Sequence, residues 1–177
     1  MAHQLIGFYT VADDTDNVLK VMRSYQYYAA NKISDVVAKT DWTNPNTRGG
    51  YVWHTTDSRK TMTSFKSAQL IANSKDADKV IFLMDRIELG TQSLDEYQNF
   101  ADNKDDVSGT ENTKDLITQM KDDQNVLIVT SIQKMSRIRY EKGINESDIE
   151  KINKKRIVFI VDECHRSQFG DMHQAIR

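Results

Sequence analysis

The chain has 177 residues, 38% of them hydrophobic and 28% charged, and a net charge of -2. This length predicts one domain with a sizeable core, and the balance excludes a disordered polypeptide. The near-neutral charge excludes overall basicity as a means of holding nucleic acid, so any such contact must come from a local patch.

The single cysteine excludes an internal disulfide framework and suits a reducing compartment. No apolar run reaches membrane-spanning length, and the N-terminus lacks the charged-then-apolar order of a signal peptide, which predicts a cytoplasmic protein.

Leu5–Val11 is a short apolar run that reads as a strand or as the remnant of a preceding domain, followed by the acidic turn Asp13–Asp16. Residues 1–17 are set apart on that basis. From Val18 the spacing of Leu19, Met22, Tyr25 and Tyr28, continued by Ile33, Val36 and Val37, predicts a helix. Arg23, Tyr25 and Gln26 stand out on it: a Gln amide can pair with the N6/N7 edge of adenine while an aromatic or Arg supports the base. The same residues also suit an ordinary amphipathic surface.

Asp41–Gly50 holds the only proline and a Gly pair, so it predicts a loop leading into a first central strand, Tyr51–His54, with Trp53 and His54 as packing residues. A polar turn follows, and then a helix opened by Lys60 and Thr61. Met62, Phe65, Ala68 and Ile71 lie on the buried face of that helix, which ends near Asn73.

Strand, turn and Lys-Thr helix start have the layout of a phosphate-binding loop. The ammonium can sit on the β- and γ-phosphates and the hydroxyl on Mg²⁺, while backbone amides face the anion. Thr56, Ser58, Lys60 and Thr61 are the candidate nucleotide contacts. Two positions depart from the pattern, because Asp57 and Arg59 stand where the loop needs glycines able to adopt φ > 0. A Lys-Thr pair at a helix start is also plain helix chemistry.

Lys79–Asp85 predicts a buried strand ending in Asp85 and Arg86, followed by a helix carrying Leu94, Tyr97 and Phe100. Ala101–Asp106 reads as an acidic loop and Val107–Glu111 as a short strand or turn. Thr113 then caps a helix bearing Leu116, Ile117 and Met120. Asn125–Lys134 is a further buried strand that finishes in Thr130, Ser131 and Gln133, all phosphate-contact types. The mixed charges from Arg137 to Arg156 predict a solvated helix and loop.

The last strand, Arg156–Val161, runs into Asp162, Glu163, Cys164 and His165. A carboxylate at the C-terminal end of a parallel strand faces the crevice where nucleotides bind in open α/β sheets. Asp162 can hold Mg²⁺ through water, and Glu163 can orient or deprotonate an attacking water. Cys164 reads as a small, partly buried residue. Strands alternating with helices at this spacing predict an α/β domain with a mostly parallel sheet covered by helices on both faces.

The ordered set Arg23–Gln26, Val52–Lys66, Phe82–Arg86, Val129–Lys134 and Phe159–Gly170 resembles the restriction (motor) subunit of type I restriction-modification enzymes. The likeness runs from about Val18 onward, and the Trp53–Thr56 and Asp162–Gln168 stretches are specific to that family rather than to helicases at large.

The resemblance implies a RecA-like P-loop NTPase domain, residues 18–177, the first motor domain of a superfamily 2 helicase-like translocase. Such a domain binds ATP and Mg²⁺ and pumps double-stranded DNA without unwinding it, in a complex with modification and specificity subunits. By position, Gln26 reads adenine, Lys60 and Thr61 hold phosphates and Mg²⁺, and Asp162 and Glu163 are the metal and water acids. Asp85, Arg86, Thr130 and Ser131 lie near the DNA path, and His165 couples the nucleotide site to motion.

Ser24 stands where that family usually has proline. The departures at Asp57 and Arg59 weigh more. A carboxylate about 4 Å from a phosphate costs roughly 1 kcal/mol in water and several at protein-like dielectric, and a side chain held at φ > 0 costs on the order of 1 kcal/mol. ATP affinity is therefore expected to fall at least about tenfold. A nuclease signature and a second RecA-like domain are not evident, so the chain is expected to be a fragment that neither hydrolyses ATP nor translocates alone. The competing readings are a non-catalytic DNA-binding or assembly module that keeps the fold, and a general helicase or P-loop kinase.

Overall fold

The computed structural model describes residues 9–13, 18–44, 49–55, 59–84, 87–101, 103–124, 126–141 and 144–161. Among these, a four-stranded parallel sheet is formed by β3 (Lys79–Met84), β4 (Val107–Gly109), β5 (Leu127–Ser131) and β6 (Ile157–Val161), in the order β4-β5-β3-β6. Every residue of β3 and β5 is buried, as expected for strands covered on both faces. The strands alternate between two cores. Val80, Phe82, Met84, Leu127 and Val129 face one cluster, while Ile81, Leu83 and Ile128 face the other.

The first cluster is closed by α1 (Ser24–Ala38), α2 (Lys60–Ser74) and α3 (Ile87–Phe100), which contribute Ala30, Met62, Phe65, Ala68, Ile71 and Tyr97. The second is closed by α4 (Thr113–Lys121), α5 (Ile132–Arg137) and α6 (Glu146–Asn153), through Leu116, Met120, Ile132, Met135 and Ile152. The α/β layout with helices on both faces is therefore the one expected. So is the buried stripe of α2, which falls at the helical spacing of its apolar residues.

Several expectations are corrected. Val18–Val21 is not the start of a helix but a strand, β2, paired antiparallel with β1 (Thr10–Asp13), and the helix begins only at Ser24. Leu19 and Met22 are three apart, which suits a helix, but the run also holds Val18 and Val21, and β-branched residues favour the pleated pairing with β1. Val11 from that hairpin is buried in the first cluster.

Tyr51–His54, expected as the first central strand, has no regular secondary structure. Gly49 precedes it at φ 93°, and Trp53, expected as a packing residue, is 88% exposed. The cap of α4 is Asn112, whose side chain accepts from the Asp115 amide at 2.9 Å, one residue before the expected Thr113. No helix among the described residues is long and apolar enough to cross a membrane.

Candidate nucleotide site

The site is built where α1 meets the start of α2. Lys60 and Thr61 open α2, a 15-residue helix with no acidic residue in its first turn, so its amides present an anion-favouring end. Residues 75–78 join the other end of α2 to the N-terminus of β3. The helix is long enough to run back along the sheet, which carries Lys60 toward the C-terminal tips of the strands.

Those tips lie side by side in register, with Met84 beside Ser131 and Leu83 beside Val161. Asp162, Glu163 and His165 follow β6, and Asp85 and Arg86 follow β3. These five, with Thr56, Asp57 and Ser58, lie outside the described residues.

Arg59, immediately before Lys60, has φ 54° and ψ 56°. This is the left-handed conformation that the phosphate-loop pattern assigns to glycine at the same position, here adopted by a residue with a Cβ. The backbone thus takes a form suited to turning amides toward an anion, at a conformational cost.

Gln26 fastens this turn to α1. Its Nε2 donates to the Arg59 carbonyl oxygen at 3.4 Å, and its Oε1 accepts from the Arg23 backbone N–H at 2.8 Å. Its neighbour Tyr25 packs edge-on against the His54 ring, with centroids 6.4 Å apart and planes at 66°. Burial, and then the nearby Lys60 charge, hold the His54 imidazole below its ordinary pKa. In the sequence Tyr25 and Gln26 stand out, whereas His54 reads only as a packing residue. Its approach to Tyr25 is a long-range closure that no periodicity reveals.

On the other side of the first turn of α2, the Tyr97 hydroxyl donates to Ser64 Oγ at 2.7 Å, and Ser64 Oγ donates to the Thr61 carbonyl at 2.9 Å. The helix start is therefore anchored to both α1 and α3.

Thr130 and Ser131 stand at the tip of β5 and are 2% and 3% exposed. Thr130 Oγ1 accepts from the Thr110 hydroxyl at 2.7 Å. Ser131 Oγ caps α5 by accepting from the Lys134 amide at 3.3 Å, and the Lys134 ammonium donates to the Thr110 carbonyl. In this structure the two hydroxyls organise the sheet edge.

Among the described residues there is no cluster of three or more His, Cys, Asp or Glu side chains able to hold a metal. Thr61, the second residue of α2, carries a hydroxyl of the type that can ligate Mg²⁺. The left-handed turn, the acid-free helix start and Lys60 together fit a nucleoside triphosphate.

A model of the SWI2/SNF2 ATPase family matches residues 25–177, and the chain belongs to that family. It is also 42% identical, over 174 residues, to the endonuclease subunit of a type I restriction enzyme from Staphylococcus saprophyticus. That match covers 98% of this chain and 18% of the relative. A Staphylococcus aureus endonuclease subunit of the same description matches with the same identity and coverage. A Mycoplasma pneumoniae protein described as the C-terminal part of a putative type I restriction enzyme endonuclease subunit is 42% identical over 165 residues, covering 89% of this chain and 78% of the relative. The chain thus spans 18% of the length of the curated staphylococcal relatives.

Proposed function

We propose that this chain is the first motor domain of a type I restriction endonuclease subunit, a unit that uses ATP and Mg²⁺ to move double-stranded DNA, with its phosphate loop weakened in this sequence. The observation that supports the reading is the hydrogen bond from Gln26 to the left-handed Arg59 directly before Lys60, which ties the candidate base-binding residue to the candidate phosphate loop.

Bound MgATP supplies the phosphoryl group whose transfer to water drives such motors. Lys60 offsets the charge of the β- and γ-phosphates, Thr61 and Asp162 hold the metal, and Thr56 and Ser58 line the loop. Glu163 orients the attacking water and takes its proton, while His165 links the site to movement. Asp85 and Arg86, which follow β3, meet DNA, while the buried Thr130 and Ser131 shape the neighbouring tip of β5 from within. The modification and specificity subunits of a restriction complex are the partners. The isolated chain neither hydrolyses ATP nor translocates, because a motor of this type needs an arginine from a second such domain to stabilise the transition state.

The test is a crystal grown with ATP and Mg²⁺. Phosphate density against Lys60 and Thr61 upholds the reading, and a nucleotide bound elsewhere overturns it. DNA-stimulated turnover by the isolated chain at ordinary rates contradicts the proposed inactivity.

A second reading, a non-catalytic DNA-binding or assembly module, is favoured by Arg59 itself, whose left-handed backbone a glycine would hold without cost. Salt-dependent DNA binding that is unaffected by ATP distinguishes it.

A further inference from the structure

We propose that Lys134 is a positioning residue for nucleic-acid binding: it ties the loop after β4 to the start of α5, and that tie holds the tip of β5 in the form that meets the DNA backbone. This rests on the DNA reading above. β4 and β5 run parallel, with Gly109 beside Val129, so the loop after β4 and the tip of β5 emerge at the same edge of the sheet as the end of β3.

Four residues close a ring of hydrogen bonds at that edge. The Thr110 hydroxyl donates to Thr130 Oγ1 at 2.7 Å, the Lys134 ammonium donates to the Thr110 carbonyl, and the Lys134 amide donates to Ser131 Oγ at 3.3 Å. Thr130 and Ser131 are consecutive in β5, so the ring joins that strand to the loop after β4 and to α5. The same loop is gripped by α4 on either side of Thr110. Gln119 Nε2 donates to the Gly109 carbonyl at 2.8 Å, and Asp115 Oδ2 accepts from the Glu111 amide at 3.0 Å. Three successive residues are thus fixed through their backbone by side chains of two helices.

A lysine just beyond a strand tip would ordinarily read as a phosphate contact. Here the side chain is half-buried and its ammonium has a protein carbonyl as partner. Thr130 and Ser131 are buried, so the ring lies largely away from water, where a charge-assisted bond is strong and a lost partner is costly. Removing the ammonium frees the loop at its middle residue and loosens the β5 tip. The two roles differ in one observable. A lysine that neutralises a phosphate releases counterions, so its loss lowers the slope of log K against log salt by about one, whereas loss of a strut leaves the slope as it was.

The test measures binding of a mixed-sequence DNA duplex across a salt series by the full chain and by Lys134→Met, Lys134→Arg, Thr110→Val and the double variant Lys134→Met/Thr110→Val. Urea unfolding confirms that each variant folds. Lys134→Met should weaken binding about tenfold at every salt concentration with the native slope, and Lys134→Arg, which keeps a charged donor for the Thr110 carbonyl, should recover most of the loss. Thr110→Val opens the same ring at the Thr130 hydroxyl and should also weaken binding at the native slope, and the double variant should lose less than the sum of the two. A slope lower by about one in Lys134→Met, native affinity in that variant, or full additivity in the double variant overturns the proposal while leaving the DNA reading intact. If Lys134→Met does not fold, Thr110→Val decides alone, and native affinity there overturns the proposal. A native chain that does not bind the duplex sinks the DNA reading and this proposal together.

Discussion

The Gln26 side chain crosses from the first turn of α1 to donate to the carbonyl oxygen of Arg59 at 3.4 Å, joining residues 33 apart in the chain. The link matters because Arg59 is one of two non-glycine residues at positive φ among those described, the other being Lys75 at the end of α2. The two ends of one helix therefore carry the same backbone cost, but only one faces the proposed ligand.

That pairing gives an internal control. Arg59→Gly and Lys75→Gly should each raise stability by about 0.5–1 kcal/mol, because glycine adopts the left-handed region freely. The gain is partly offset by the greater freedom of glycine in the unfolded chain. Urea denaturation measures it, and only Arg59→Gly should also change nucleotide binding. A loss of stability in both variants would show that the Cβ carries no strain.

Lys79 opens β3 and is fully buried, and burial is the main reason that its pKa falls to about 8 from 10.5. Lys155 lowers it further, while Asp122 and Asp123 oppose the shift. Between those two pH values the unfolded chain holds a proton that the folded chain has lost, so stability rises with pH across that window, and below about pH 8 the full penalty is present. Lys79→Met should therefore stabilise the protein at pH 7 by on the order of 2 kcal/mol. Its advantage over the native chain should shrink by pH 10. Denaturant unfolding at both pH values checks this, and an advantage independent of pH would contradict it.

Asp78 and Arg156 clamp the starts of β3 and β6. Asp78 Oδ2 accepts from the Arg156 backbone N–H at 2.7 Å and from Nε at 3.2 Å, and Oδ1 accepts from Nη2 at 2.9 Å. The guanidinium hydrogen bond is the largest cause holding the Asp78 carboxyl below its ordinary range. The contribution is thus present above the ordinary aspartate value and is lost as pH falls through the lowered one. Because both side chains are partly exposed, Asp78→Ala should cost only about 1 kcal/mol. Adding Arg156→Met should cost little more, and full additivity in the double variant would show that the pair is not coupled.

The sequence made the sheet legible where strands are buried on both faces. β3 and β5 hold the unbroken apolar runs Val80–Met84 and Leu127–Val129, and no helical period competes with them. It misled at Val18–Val21, where the residues satisfy two periods at once and pairing with β1 decides between them. It misled again at Tyr51–His54, whose β-rich composition finds no ladder partner among the described residues.

Within the site, the left-handed turn at Arg59 could be anticipated, because the loop pattern demands glycine there. The meeting of Tyr25 with His54 could not be, since it depends on how α1 lies along the loop. Neither could the engagement of the Thr130 and Ser131 hydroxyls within the protein, by the Thr110 hydroxyl and the Lys134 backbone amide respectively.

Whether the loop substitutions weaken the site is decided by titrating MgATP into the native chain, into the Asp57→Gly/Arg59→Gly variant, and into that variant with Lys60→Ala added. The glycine pair should tighten binding at least about tenfold, and loss of the Lys60 ammonium should abolish the gain. Equal affinities in the native chain and the glycine variant, or a gain that survives without Lys60, would contradict it.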